Sequence, residues 1–293
     1  MPRRLPGVLG FLLVLAVALA GAAPSVPAAA WLLEQVKILS APEMEGRASG
    51  TPGADRAARH IAKVFQEAGL RPCCGADGYA QKFEVVTGTR LGAPNSLTLL
   101  APTSRAFAIG PDFTPLAGSS DGSAEGEAIF VGYGITAGNL HYDDYAGLDV
   151  RGNIVLAMTG DPGAADPGSP FRRPEAYHYA ERSHKIINAR EHGARAVILV
   201  NQPGPERETL PVLSGISHPW GIQALFVTRA VADALLAPSG KQLAALRERI
   251  DRDLAPQSVP LPGVKVKIEV SLVRERCTTA NVSRIDRGRP GSP

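Results

Sequence analysis

At 293 residues, with 44% hydrophobic and 20% charged residues, the chain is long enough for two ordinary domains, each with its own core. Its 31 Gly and 25 Pro fall short of low-complexity proportions. The net charge of +3 includes Arg3 and Arg4 of an expected leader, and without them 29 basic residues face 28 acidic ones, which leaves no footprint for nucleic acid or an anionic membrane.

Residues 1–30 read as a secretory signal: Arg3-Arg4, an apolar run from Val8 to Ala20, then small-residue cleavage positions such as Ala18-Leu19-Ala20 and Ala28-Ala29-Ala30. The run is shorter than the ~20 residues a membrane span requires, so a secreted or periplasmic protein is expected, free of the membrane after cleavage. Trp31 to Leu39 carries apolar residues at Leu32, Leu33, Val36 and Leu39, a helical stripe that Pro42 ends. A glycine-punctuated loop, Glu45 to Gly53, precedes a second helix from about Ala54 to Ala68, with Ala57, Ile61, Val64 and Phe65 on one face and Gly69 as its stop. A turn at Gly75-Ala76-Asp77-Gly78 leads to a strand near Tyr79 to Val86. The adjacent Cys73 and Cys74 strain the geometry of a bridge between them, a bridge from either to Cys277 stays open, and no cysteine spacing matches a zinc site.

Glu45-Gly46-Arg47 with Gly50-Thr51-Pro52-Gly53, the helix running to Gly69-Leu70, and Tyr79-Ala80-Gln81-Lys82-Phe83 together resemble the opening of the secreted zinc aminopeptidase family related to aminopeptidase Y, over residues 31 to about 116. The resemblance implies that the two helices pack on a catalytic α/β body, which would cover Ile61, Val64 and Phe65. Gly118-Ser119-Ser120-Asp121-Gly122-Ser123 reads as a flexible joint, giving expected domains of 31–120 and 121–273.

Beyond the joint, strands are expected over Gly126–Tyr133, Ile154–Met158, Arg195–Asn201 and Ala224–Val227, with a proline-rich loop from Asp161 to Pro174 and a helix from Tyr177 to His192 closed by Gly193. Thr228 and Ser239 are expected to cap two further helices, the second with Leu243, Leu246 and Ile250 on one face. Val264, Val266, Ile268 and Val270 alternate with Lys265, Lys267 and Glu269, a half-exposed strand over Gly263–Val273. The fold class is therefore α/β (α+β). Within this region His141-Tyr142-Asp143-Asp144-Tyr145-Ala146-Gly147-Leu148-Asp149, the Gly152-Asn153 break and the strand Ile154–Met158 resemble the signature of the protease-associated domain, a non-catalytic module inserted into secreted zinc exopeptidases. The resemblance implies a mixed α/β insert that shapes substrate access or binds peptide or protein.

Thr278-Thr279-Ala280-Asn281-Val282 resembles the strand that reopens the peptidase body, and residues 274–293 are expected to hold that strand start and a disordered tail. The family's two zinc ions take ligands that follow this strand, so no residue here inherits a catalytic or metal role. The expectation is a truncated aminopeptidase, inactive alone, with its catalytic half as one partner; the alternatives are a stand-alone secreted binding module and, remotely, a serine hydrolase. His141-Tyr142-Asp143 copies a His-spacer-Asp ligand spelling, with Asp144 beside it, but short acids in such a turn serve backbone N–H groups. His178, Glu181 and His184 lack zincin spacing, and His60, His192 and His218 are isolated. Gly118-Ser119-Ser120-Asp121-Gly122 spells a nucleophile elbow without the strand–serine–helix setting, and Gly132-Tyr133-Gly134 with Gly138 misses dinucleotide spacing.

Overall fold

A computed structural model describes residues 27–204, 208–213 and 219–285. The expected leader up to residue 26, the tail from residue 286 and His218 lie outside the described residues. The chain divides into two compact units, Met1–Phe83 with Thr278–Pro293, and Glu84–Cys277. These divisions differ from the expected ones at 120/121 and 273/274.

In the first unit, α1 (Ala29–Ser40) and α2 (Pro52–Glu67) flank a 3-10 turn over Pro42–Arg47. Thr51 caps α2 by accepting from the Ala54 N–H at 3.3 Å, and Pro52 follows at the first turn, where its missing N–H costs nothing. Gly53 is obligatory, because a Cβ there would lie 2.0 Å from the Met44 carbonyl oxygen. His60 Nε2 sits 2.7 Å from Gln35 Oε1, which ties the helices together and gives that isolated histidine a partner. Ile61, Val64 and Phe65 are half-buried, and Tyr79 of this chain meets Phe65 edge to face at 5.9 Å, so that face already has partial cover. The α1 stripe is bare: Trp31, Leu32, Leu33 and Val36 are all exposed. The short β1 (Arg71–Pro72) pairs with β14 (Arg284–Ile285).

Cys73 and Cys74 are bonded to each other and Cys277 is free and exposed, so the bridge to Cys277 left open by the sequence is not formed and the neighbours pair instead. Titration of the purified chain with a thiol reagent should find one equivalent before reduction and three after. Three equivalents without reductant would refute the bond.

The second unit is built on an eight-stranded sheet in the order β4-β3-β12-β6-β9-β10-β11-β5. The strands are β3 (Ser96–Ala101), β4 (Arg105–Phe107), β5 (Phe113–Pro115), β6 (Gly122–Phe130), β9 (Ile154–Met158), β10 (Ala196–Val200), β11 (Gln223–Val227) and β12 (Val259–Val270), while the short β7 (Thr136–Ala137) and β8 (Tyr142–Asp143) pair apart from the sheet. The neighbours from β6 through β9 and β10 to β11 run parallel, and the outer pairings are antiparallel. The parallel centre explains the unbroken apolar runs Ile154–Met158 and Ala196–Val200, which are buried on both faces. Ile154, Leu156, Ile198 and Leu225 face one core with α4 (Arg229–Leu236) and α5 (Leu243–Asp253). Val155, Ala157, Val197 and Phe226 face the other, covered by α3 (Arg182–Glu191). The result is a three-layer α/β unit, and β12 shows the expected alternation of buried Val264, Val266, Ile268 and Val270. The ribbon of β2 (Ala80–Leu91) and β13 (Leu272–Val282) crosses the division between the units in both strands.

Three local expectations are corrected. Gly118–Ser123 is not a loose joint: Ser119 is fully buried, its Oγ accepts from Ala224 N at 2.9 Å, and Ser120 N donates to Ile222 O. The helix expected from Tyr177 splits into a 3-10 segment, Pro174–Ala180, and α3, because Glu181 is extended (φ −67, ψ 135). Ser239 does not cap α5; Asp233 Oδ1 accepts from Leu243 N at 2.9 Å instead, whereas Thr228 does cap α4.

Candidate functional site

In an open parallel sheet the carboxyl ends of the strands are where binding residues collect, because the loops leaving them converge there. Here the loops after β6, β9 and β10 converge on a buried polar network around Tyr133. Asp144 is 1% exposed, and its Oδ2 accepts from Tyr133 N and Ile135 N, both at 3.0 Å, while Tyr142 Oη donates to its Oδ1 at 2.8 Å. Lys185 Nζ, equally buried, donates to the Tyr133 carbonyl at 2.6 Å, and Asn188 Nδ2 donates to the Gly134 carbonyl at 3.0 Å. The glycine-rich turn Gly132-Tyr133-Gly134, which misses the dinucleotide spacing, is thus held on its N–H side by Asp144 and on its carbonyl side by α3.

Further out, Tyr133 Oη donates to Asp251 Oδ1 at 2.7 Å and lies 3.2 Å from Gln202 Oε1. Asp251 also accepts from Gly163 N and, through Oδ2, from Arg247 Nε at 2.9 Å. Arg172 Nη2 donates to Asp161 Oδ1 at 2.6 Å. Burial dominates the electrostatics. It raises the Asp144 carboxyl against the pull of its donors, lowers the Lys185 ammonium, and raises Asp161 and the Tyr133 and Tyr142 phenols. Every acid in this network is engaged by donors of the chain, so it works as an internal brace.

The residues singled out in the sequence fall as follows. Asp143 Oδ1 accepts from Tyr145 N and Thr136 Oγ1, and Asp149 from Arg151 N and Nε, so these turn acids serve backbone and neighbouring side chains. Arg151 holds the Asp149 carboxyl down to about 2. His141 is exposed in a left-handed conformation (φ 53) and does not join Asp143 and Asp144 in a ligand set. Among the described residues no group of three or more His, Cys, Asp or Glu is placed to hold a metal, so the zinc of the resembled family does not fit these side chains. His178 and His184 lie on different segments with rings 5.3 Å apart, and His192 stacks on Tyr145 at 4.1 Å. Ser120 is followed by β6 and not by a helix, which removes the elbow geometry.

An open groove of about 450 Å³ lies on the α3 side of the same unit. Leu116, Ala117, Pro211, Val212 and Trp220 form its apolar wall, and Glu181, Arg182 and Ser183, at the start of α3, form its polar rim. Trp220 is fixed through its backbone, which donates to Gly118 O at 2.8 Å and accepts from Arg190 Nη1 at 2.6 Å. Arg182 lies over the Phe226 ring at 5.0 Å, and Val212 is 85% exposed. Sequence reading missed this groove, as it missed Lys185, Asn188 and Asp251; a lysine beside Ile186 on an otherwise buried helix face was the one available signal.

No helix among the described residues is long and apolar enough to cross a membrane. No curated protein matches the chain. Among solved structures it is similar to an aminopeptidase from Aneurinibacillus sp. strain AM-1 at 21% identity and a TM-score of 0.42, covering 84% of this chain and 45% of that one. A zinc aminopeptidase from Bacillus subtilis shows 16% identity and a TM-score of 0.36 over 84% and 44% of the two chains. A peptidase M28 precursor from Shewanella amazonensis shows 16% identity and a TM-score of 0.35 over 84% and 49%. The chain spans less than half the length of each. Asp144 with its direct partners and the groove beside Trp220 fall in the part of the chain, residues 115–235, that matches the family model of the PA domain, while Arg247 and Asp251 lie beyond it.

Proposed function

We propose that Glu84–Cys277 is a non-catalytic module that binds peptide or protein, within a secreted or periplasmic relative of the zinc aminopeptidases. The match of residues 115–235 to the PA domain carries this reading. The chemistry of the unit supports it: its buried acids are consumed by structural donors, while its open surface is an apolar groove with a polar rim, the usual make-up of a recognition site. The loop motifs of residues 45–53 support placement in a peptidase body, as does the bare apolar stripe of α1, since such a patch marks a surface made to be covered.

The test uses the purified chain supplied with zinc. Immobilised peptides should retain it, and it should neither keep stoichiometric zinc through gel filtration nor hydrolyse a leucine anilide. Tightly kept zinc together with hydrolysis would overturn the non-catalytic reading. Failure to retain any peptide or protein would overturn the binding reading.

A further inference from the structure

Building on the binding role proposed above, we propose that the groove beside Trp220 selects peptide segments that present a bulky apolar side chain next to a carboxylate. The apolar half of the preference comes from Trp220 and Val212. Trp220 is a large ring whose backbone is pinned on both sides, so little order has to be created on binding. Val212 stands 85% exposed at the groove, apolar surface that a ligand side chain would cover.

The acidic half follows from what the two rim charges already have. Glu181 stands at the N-cap of α3, where the helix dipole favours a negative charge, and its Oε2 lies 3.5 Å from the Ser183 hydroxyl, which donates to it. Arg182, one residue on, is a cation at the end of the helix that disfavours cations, and among the described residues it makes no ion pair. Its guanidinium carbon lies 5.0 Å from the centre of the Phe226 ring, a contact that restrains the side chain without using its N–H donors in an ion pair. A planar guanidinium recognises a carboxylate through paired hydrogen bonds. The charge left over at this groove is therefore positive.

The experiment exploits the chain's two tryptophans. A Trp31→Phe background leaves Trp220 as the sole reporter of binding. Acetylated, amidated hexapeptides with a central Leu-Asp, Leu-Asn, Leu-Lys or Gly-Asp pair are titrated by fluorescence. Leu-Asp should bind roughly tenfold more tightly than Leu-Asn, as expected for one charge-assisted pair, with Gly-Asp and Leu-Lys weaker than Leu-Asn. Arg182→Glu, which suits the helix start and so preserves folding, should cancel the Asp preference and favour Lys. Val212→Asp should weaken the leucine peptides while thermal unfolding stays unchanged, given its exposure. Peptides that bind alike, or that ignore both substitutions, would refute this selectivity and leave the binding role standing. Binding by none would sink both. A Trp220 signal that depends on protein concentration without peptide would make a second copy the occupant and overturn the proposal.

Discussion

Replacing Asp144 by alanine should destabilise the Glu84–Cys277 unit by about 3–5 kcal/mol, the range for removing one member of a buried charged network. Three donors lose their acceptor at once, the backbone N–H groups of Tyr133 and Ile135 and the phenol of Tyr142. Each orphaned buried donor costs ~1–3 kcal/mol, and the cavity left in place of the carboxylate is lined by groups that cannot pair with one another. The turn cannot close over the gap by small adjustments. Gly132 already has φ +49, and a Cβ on it would lie 2.3 Å from Asp144 Oδ1, so this backbone is shaped around the carboxylate. Asp143→Ala makes the control, since Asp143 is only half-buried and braces Tyr145 N and Thr136 Oγ1; its cost should be ~1 kcal/mol. Urea unfolding followed at Trp220, in the Trp31→Phe background, measures both. A loss below ~1 kcal/mol for Asp144→Ala would mean that the network is not the brace described.

The contrast between Asp143 and Asp144 shows how far the sequence could be read. Both were legible as turn acids, because short carboxylates in such a turn almost always serve nearby N–H groups. Which of them was buried was not legible, since that depends on the turn at Tyr133, whose N–H Asp144 holds, being pinned from a distant helix by Lys185. The parallel strands were legible for the same local reason: an apolar run such as Ile154–Met158 can only be buried on both faces. The antiparallel edge was harder to see. Ser96–Ala101 pairs with Val259–Val270 across more than 150 residues, and nothing in either segment names the other. Gly118–Ser123 misled because its small polar residues read as a linker, whereas Ser119 uses its small size to lie fully buried and its hydroxyl to accept from Ala224 N. The groove was invisible because Trp220 and Arg182 stand far apart in the chain, and neither belongs to a spaced motif.

Lys185→Met should cost ~1–3 kcal/mol at neutral pH, although methionine fills the space and is apolar. The variant leaves the Tyr133 carbonyl without its 2.6 Å donor and, wherever Asp144 is ionised, leaves that buried charge without the lysine. The pH dependence separates this account from simple loss of packing. Lys185 has a folded value depressed by burial below its ordinary 10.5, so between those two values the unfolded chain holds a proton that the folded chain lacks. Stability of the parent protein therefore rises with pH through that window, and the variant should lose the rise. Asp144 behaves oppositely. Burial raises its folded value above 3.8, so the folded state keeps its proton longer and stability falls as pH rises through the raised value. Removing the Lys185 charge takes away one of the influences holding that value down, which pushes it higher still. The penalty of Lys185→Met should accordingly be smaller at pH 5 than at pH 8, because protonating Asp144 removes the stranded charge. Asp144→Asn combined with Lys185→Met should cost less than the sum of the single changes by 1 kcal/mol or more, about what contacting charges show in such cycles. Equal penalties at both pH values, or additive single changes, would show that the two buried groups do not feel each other.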